Sequence, residues 1–440
     1  MPRTTTLTLL LLTLPLGAAE NSPGFLAGRH AAGVPSLPAQ WDAKRNVLWQ
    51  ADVPGTGWSS PVVWGSRVFV TTCVSTDKQA EPRKGLYIQD LQGKAPQGEH
   101  DWRVLCLDAK TGKVLWDKSA FRGQMGSTIH IKNSLASETP VTDGKHVWAY
   151  FGNVGMACFD VEGNLAWKEK TPVHKTRMGW GTGSSLALHD GKLFYVHDNE
   201  EKSFLAALDA KTGKPLWRAD RKEGSTWGTP FVWANSKRTE LVTAGTDRVR
   251  SYDLDGNLLW ELKGMSVISI PTPFAVGDTL YVSSGYVLDP IRKPVYSIRP
   301  GAKGDISLAS GKTGNDFINW VQWQAGSYHP TPIVEGDYLY VLLDRGFLSC
   351  YEAKTGKEVY KGRRIGGGAS AFTASPVAID GKLYCLGEDG DTFVIQGGPE
   401  FKFLARNPLG DMALASPVLA GGSLFVRTKS KLFCLRQEGK

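Results

Sequence analysis

Five histidines carry the side chains of this chain best suited to chemistry near neutral pH: His100, His130, His174, His197 and His329. Imidazole is the side chain whose ordinary pKa falls there, and it also ligates metals. Around these histidines in the sequence stand Arg177, Trp180, Asp198, Glu200, Trp227 and Tyr328. Such a set can hold a small ligand by stacking and hydrogen bonding. Stronger chemistry finds no pattern. His197-Asp198-Asn199-Glu200-Glu201 offers oxygen ligands, but it lacks the calcium-loop spacing and reads as a solvated acidic loop. Gly179-Trp180-Gly181-Thr182-Gly183 leads into a strand instead of a helix, so it is not a phosphate cradle; a wide turn packing Trp180 on a neighbour is expected. No Gly-x-Ser-x-Gly, no nucleophile triad, no haem-attachment Cys-x-x-Cys-His and no zinc spacing occur. Catalytic residues are therefore left unassigned, and no metal is expected.

The elements that must position these residues are repeats. Asp108-Ala-Lys-Thr-Gly-Lys-Val-Leu-Trp116 returns as Asp209-Ala-Lys-Thr-Gly-Lys-Pro-Leu-Trp217. Shorter copies end at Trp167 and Trp260, and Glu352 to Tyr360 is a further variant. A second phrase, Ser/Thr-Pro, recurs at Pro61, Pro140, Pro230, Pro273, Pro332, Pro376 and Pro417, with Ser184-Ser185-Leu186 as the deviant copy. A period of roughly 40–45 residues with only strand signals predicts stacked four-stranded blades. Eight first strands predict an all-β, eight-bladed β-propeller. The eighth blade runs out after Leu432-Phe433-Cys434-Leu435, and Asn46-Val47-Leu48-Trp49 is the expected donor of its missing strand, which would close the ring and hide its edges.

Strand alternation assigns the loops to faces. First-to-second and third-to-fourth turns share one end of the ring and are mostly tight, with exceptions at 234–239 and 300–316. The other end receives the insertions at 75–103, 117–136, 168–183, 197–204, 284–294 and 318–329. Long loops raised on one face of a rigid ring are where binding is usually built. The expected ligand site is the funnel mouth on that face, with His130, His174, Arg177, Trp180, His197, Asp198, Glu200, Trp227, Tyr328 and His329.

Residues 1–19 read as a leader: Arg3, a short apolar run over Leu7 to Leu16, then Gly17-Ala18-Ala19. An N-terminal extension, 20–40, and one propeller domain, 41–440, should follow. No Cys follows the leader for lipidation, and no stretch is long enough to span a bilayer. A periplasmic or secreted monomer is expected. The formal charge of +8 is scattered over turns, which argues against a nucleic-acid partner and for a protein or glycan. Cys106, Cys158, Cys350 and Cys434 share one repeat position, filled by Ala in the copy at 205–209, and read as small packing residues; a bridge between Cys73 and Cys106 stays open.

These phrases resemble the PQQ-type propeller repeat, Ala-x-Asp-x-x-Thr-Gly-x-x-x-Trp, over about residues 41–435. That family includes the quinoprotein alcohol dehydrogenases and BamB, the propeller subunit of the outer-membrane barrel-assembly machinery. The resemblance implies that Trp49, Trp116, Trp167, Trp217 and Trp260 stack on the neighbouring blade's turn. It also implies two functions. A quinoprotein would hold PQQ with calcium under two adjacent cysteines and act on an alcohol or carbohydrate, but this chain has no adjacent Cys pair and no motif for the calcium ligands. The expectation is a non-enzymatic scaffold without cofactor, binding a protein or glycan on its insert-bearing face, with the PQQ-dependent or metal-assisted enzyme as the alternative.

Overall fold

Each Ser/Thr-Pro phrase opens the innermost strand of a four-stranded antiparallel blade, and eight blades make the molecule in this computed structural model. The structure describes residues 21–31, 37–42, 45–87 and 91–437; the expected leader lies outside them. The blades span 62–123, 141–170, 187–220, 231–263, 274–322, 333–364, 377–408, and 418–435 with 47–52. The chain is an eight-bladed β-propeller. Among the described residues the only helical piece is one 3-10 turn, Arg177–Gly179, and no helix is long and apolar enough to cross a membrane.

The ring is closed as the repeat count requires. Val47–Asp52 pairs antiparallel with Lys431–Leu435, so both ends of the propeller share blade 8. Between blades the contacts are aromatic. The indole of Trp49 donates to Ala109 O at 2.9 Å, that of Trp116 to Val161 O at 2.9 Å, and that of Trp167 to Ala210 O at 3.0 Å. Trp217 reaches Leu254 O at 2.9 Å in the same way. Each ring lies on the turn glycine of the next blade. At Gly112, with φ +72°, a Cβ would come within 2.5 Å of Trp49, so this turn needs glycine for both its backbone and its neighbour.

Trp260 departs from the expected stacking. Its indole donates inside its own blade, to Glu240 Oε2 at 2.7 Å. The cause is the long connection at 300–316, whose Gly304–Asp305 adds a parallel strand beside Trp260 and Glu261 in place of a tight turn. Loop boundaries also shift: the inserts expected at 75–103 and 168–183 are shorter because His100–Asp108 and Leu165–Lys170 are strands, and two more change likewise. Val114–Gly123 is one strand, so the connection expected at 117–136 begins later. Ile318–Gln322, expected in a loop, is the fourth strand of blade 5. Its Trp320, which the repeat phrase did not mark, takes the stacking role by donating to Ala353 O at 3.0 Å over Gly356.

The six cysteines are all buried and free. Cys73 pairs in register with Trp102, and Cys106 with Phe69, too far along the ladder for a bridge.

Two features of the inner ring set the site. The phrase hydroxyls form a girdle: the N–H of Ser60 donates to Thr139 Oγ1, and that of Thr139 to Ser185 Oγ. The relay passes through Thr229, Thr272, Thr331 and Ser375 to Ser416, each bond 2.9–3.0 Å long. Ser185 keeps its place in the deviant copy, so the hydroxyl is the working part of the phrase. Seven such bonds, each contributing about 1 kcal/mol, join all eight blades around the axis.

Below the girdle, residues 21–31 cross the channel. Ser22 pairs with Val63, Pro23 O accepts from Thr142 N, Gly28 O from Leu419 N, and Arg29 O from Ala378 N. The Arg29 guanidinium donates to Thr331 O and Pro332 O. The approach is close: a Cβ at Gly28 would meet Leu419 O at 2.5 Å. The described part of the expected N-terminal extension thus packs against the inner strands at the tight-turn end.

Candidate functional site

The girdle is the base of a cavity of about 260 Å³ that opens on the insert-bearing face. Ser185, Thr331, Ser375 and Ser416 line its base together with Phe25 from the crossing segment. The connections between blades supply the wall. Trp180 follows the 3-10 turn at 177–179, and its indole donates to Leu91 O in the first insert. Trp227 donates to Gly181 O at 2.9 Å, which holds its ring 5.7 Å from that of Trp180. Tyr286 and Tyr328 continue the aromatic side at 5.3 Å. Burial raises the Tyr328 hydroxyl pKa, with Tyr286 and Asp344 adding to the rise and Arg177 opposing it.

The polar groups are held from behind. His329 Nδ1 is bonded to Asp344, whose carboxylate also accepts from the backbone N–H of Tyr328 at 3.0 Å and of His329 at 3.2 Å. That partner fixes the proton on Nδ1 and leaves Nε2 as the acceptor. His130 lies edge-on to Tyr87 at 5.1 Å and to Trp180 at 6.0 Å. Lys132 Nζ and Glu388 Oε1 form an ion pair at 2.6 Å, with side chains 11% and 3% exposed. Gly85 N and Thr373 also donate to Glu388, so the pair pins the first insert over blade 7.

Of the sequence-expected site residues, the structure brings His130, Trp180, Trp227, Tyr328 and His329 to the cavity. The others stand elsewhere. His197 ends the second strand of blade 3, and strand alternation turns it between blades 2 and 3, where Tyr150 Oη lies 2.8 Å from its Nδ1. Burial pushes its pKa down to about 4, with His174 and Arg218 adding to the fall. His174 is half-buried against it, at 5.3 Å between rings, and faces Glu201. Asp198 is buried against Arg221 at 3.1 Å and Thr226 at 2.7 Å, and burial raises its pKa. Glu200 accepts from the backbone and hydroxyl of Ser225, so it braces a loop. Arg177 stands beside Tyr328 without lining the cavity. His100 is buried with Ser75 at 2.8 Å. Sequence reasoning missed Lys132, Glu388, Tyr286 and Phe25. Glu388 stands in the turn between the second and third strands of blade 7, and its partner lies 256 residues away in sequence.

No three His, Cys, Asp or Glu side chains come together to hold a metal among the described residues. Of the carboxylates behind the cavity wall, Glu388 is engaged by Lys132 and Asp344 by His329, while Glu138 lies buried against Thr182. The residues present do not fit PQQ held with calcium.

The family model described as "Outer membrane protein assembly factor BamB" matches residues 88–192 and 153–317, together just over half of the chain. The chain is 26% identical over 238 residues to an outer membrane protein assembly factor BamB of Alkalilimnicola ehrlichii, 52% of this chain and 49% of the relative. It is 24% identical over 261 residues to a polyvinylalcohol dehydrogenase of a Pseudomonas species, 51% of this chain and 37% of the relative. The match therefore spans half or less of the length of these relatives. Among solved structures, BamB from Moraxella catarrhalis superposes with a TM-score of 0.53 at 13% identity, over 84% of this chain and 99% of the other. The computationally designed protein Ika8 superposes with a TM-score of 0.56 at 12% identity, over 91% of this chain and all of the other. At these identities the two structures show the shared fold.

Proposed function

This chain belongs to the PQQ-like β-propeller repeat family, and we propose that it is a non-enzymatic binding scaffold which takes a protein or glycan partner at the funnel on its insert-bearing face. In this reading it works as a monomer in the periplasm or outside the cell and needs no cofactor. The carrying observation is the blind cavity itself: five sequence-expected residues converge on it, and its polar groups are braced by one another instead of left open for a metal. Relatives named for outer-membrane protein assembly add support for a binding role.

A second reading is favoured by one observation. His329, oriented by Asp344, presents its other ring nitrogen as an acceptor, as a general base would. Oxidation of an alcohol or carbohydrate would also require a quinone, and the donor set does not fit one held with calcium.

One experiment separates them. Replace His130, Trp180, Trp227 and His329 by Ala, then compare capture of cell-envelope components with the parent protein. Loss of capture with the fold retained is expected. Unchanged capture overturns the site, and dye-linked alcohol oxidation by the parent protein with added PQQ and calcium overturns the non-enzymatic role.

A further inference from the structure

We infer that the funnel receives the end of an uncharged glycan, a terminal sugar residue inserted along the propeller axis; this rests on the binding reading above and names its ligand.

Charge comes first. The one Lys, Arg, Asp or Glu side chain lining the cavity, Lys132, is paired with Glu388, and Asp344 behind His329 is held by that ring's N–H and two backbone N–H groups. A charged ligand would give up its hydration and find no unmatched opposite charge on the wall. A neutral one meets no such cost.

Shape and chemistry follow. Trp180, Trp227, Tyr286 and Tyr328 line the wall with aromatic rings, the two indole N–H groups being already bonded to Leu91 O and Gly181 O. At the base, the hydroxyls of Ser185, Thr331, Ser375 and Ser416 each accept one backbone N–H and keep their own proton to donate. A sugar ring has the complementary surface: C–H faces for the aromatic rings and hydroxyls for the base. The cavity of about 260 Å³ is smaller than the roughly 300–1,000 Å³ typical of pockets for drug-sized ligands. It suits one terminal group of a longer chain.

The direction of entry is set by residues 21–31. They pair with the inner strands of blades 1 and 7 and place Phe25 in the cavity, so the channel is closed at the tight-turn end. A polymer cannot thread through; only an end fits.

The test is a calorimetric panel of short linear cello-, malto- and chito-oligosaccharides against the full chain. At least one should bind, with an affinity unchanged between low and high salt, because no ion pair forms. Trp227→Ala should weaken it tenfold or more. Phe25→Trp, which adds bulk at the base, should abolish it. Blocking one end of the bound sugar should also abolish it. Absence of binding across the panel, an affinity that falls with salt, indifference to Trp227→Ala or Phe25→Trp, or binding that survives blocking of both ends would each overturn the inference. If no sugar binds while the four-residue variant still loses envelope capture, the binding reading stands and the glycan assignment alone falls.

Discussion

Trp49 stands directly opposite Cys434 in the ladder that joins the two ends of the propeller. The same pairing recurs within single blades, Cys106 with Trp116, Cys158 with Trp167 and Ala207 with Trp217. A small residue under each indole lets the ring lean onto the next blade's glycine turn. The ends of the chain thus reproduce a joint that elsewhere is local in sequence. Trp49→Ala should cost about 3 kcal/mol or more, comparable with Trp116→Ala, because each empties a buried aromatic site. Denaturant melts of the two variants check this; a negligible loss at Trp49 would mean that blade 8 holds without its N-terminal strand.

Burial of the thiols gives a second expectation. Desolvation raises Cys73 and Cys385 to about 12 and Cys106 to about 11, so thiolate is scarce at neutral pH. A maleimide should label none of the six in the folded protein and all six after unfolding. Reductant should leave the melting temperature unchanged.

The repeat made the fold legible because its two phrases mark fixed points in each blade, the hydroxyl of the inner ring and the turn under the indole. Where a phrase was missing, reading failed for a physical reason. Blade 5 replaces its turn with 300–316, so Trp320 carried no marker. The site was legible only as a face. Loop ends can be assigned by strand alternation, but His197 shows that the last strand residue can turn between blades while its neighbours in sequence do other work. Residues 21–31 contain neither phrase, and nothing local could place Phe25 at the base of the funnel.

The pair Lys132–Glu388 ties the first insert to blade 7 and shapes one wall of the cavity. Lys132→Met should leave Glu388 buried without its cation and cost about 3–5 kcal/mol. The double variant Lys132→Met, Glu388→Gln should recover much of that loss, since both charges are gone. A single variant as stable as the parent would show the pair to be solvated in solution.

A last expectation concerns pH. Glu138 and His197 both neighbour Tyr150 and have opposite shifts: burial raises Glu138 from 4.5 to about 7 and lowers His197 from 6.5 to about 4. For His197 the unfolded chain binds more protons between pH 4 and 6.5, so its share of stability falls as pH drops through that window. For Glu138 the folded chain binds more protons between pH 4.5 and 7, so its share falls as pH rises. Each integrates to about 3 kcal/mol. The two slopes oppose each other, and their sum between pH 4.5 and 6.5 should be nearly flat. Glu138→Gln removes one of them. That variant should gain stability at neutral pH and lose it steeply on acidification, while His197→Gln should show the reverse slope. Chemical denaturation across this range reads both directly. If Glu138→Gln keeps the flat profile of the parent, the two groups are not titrating against each other at the joint of blades 2 and 3.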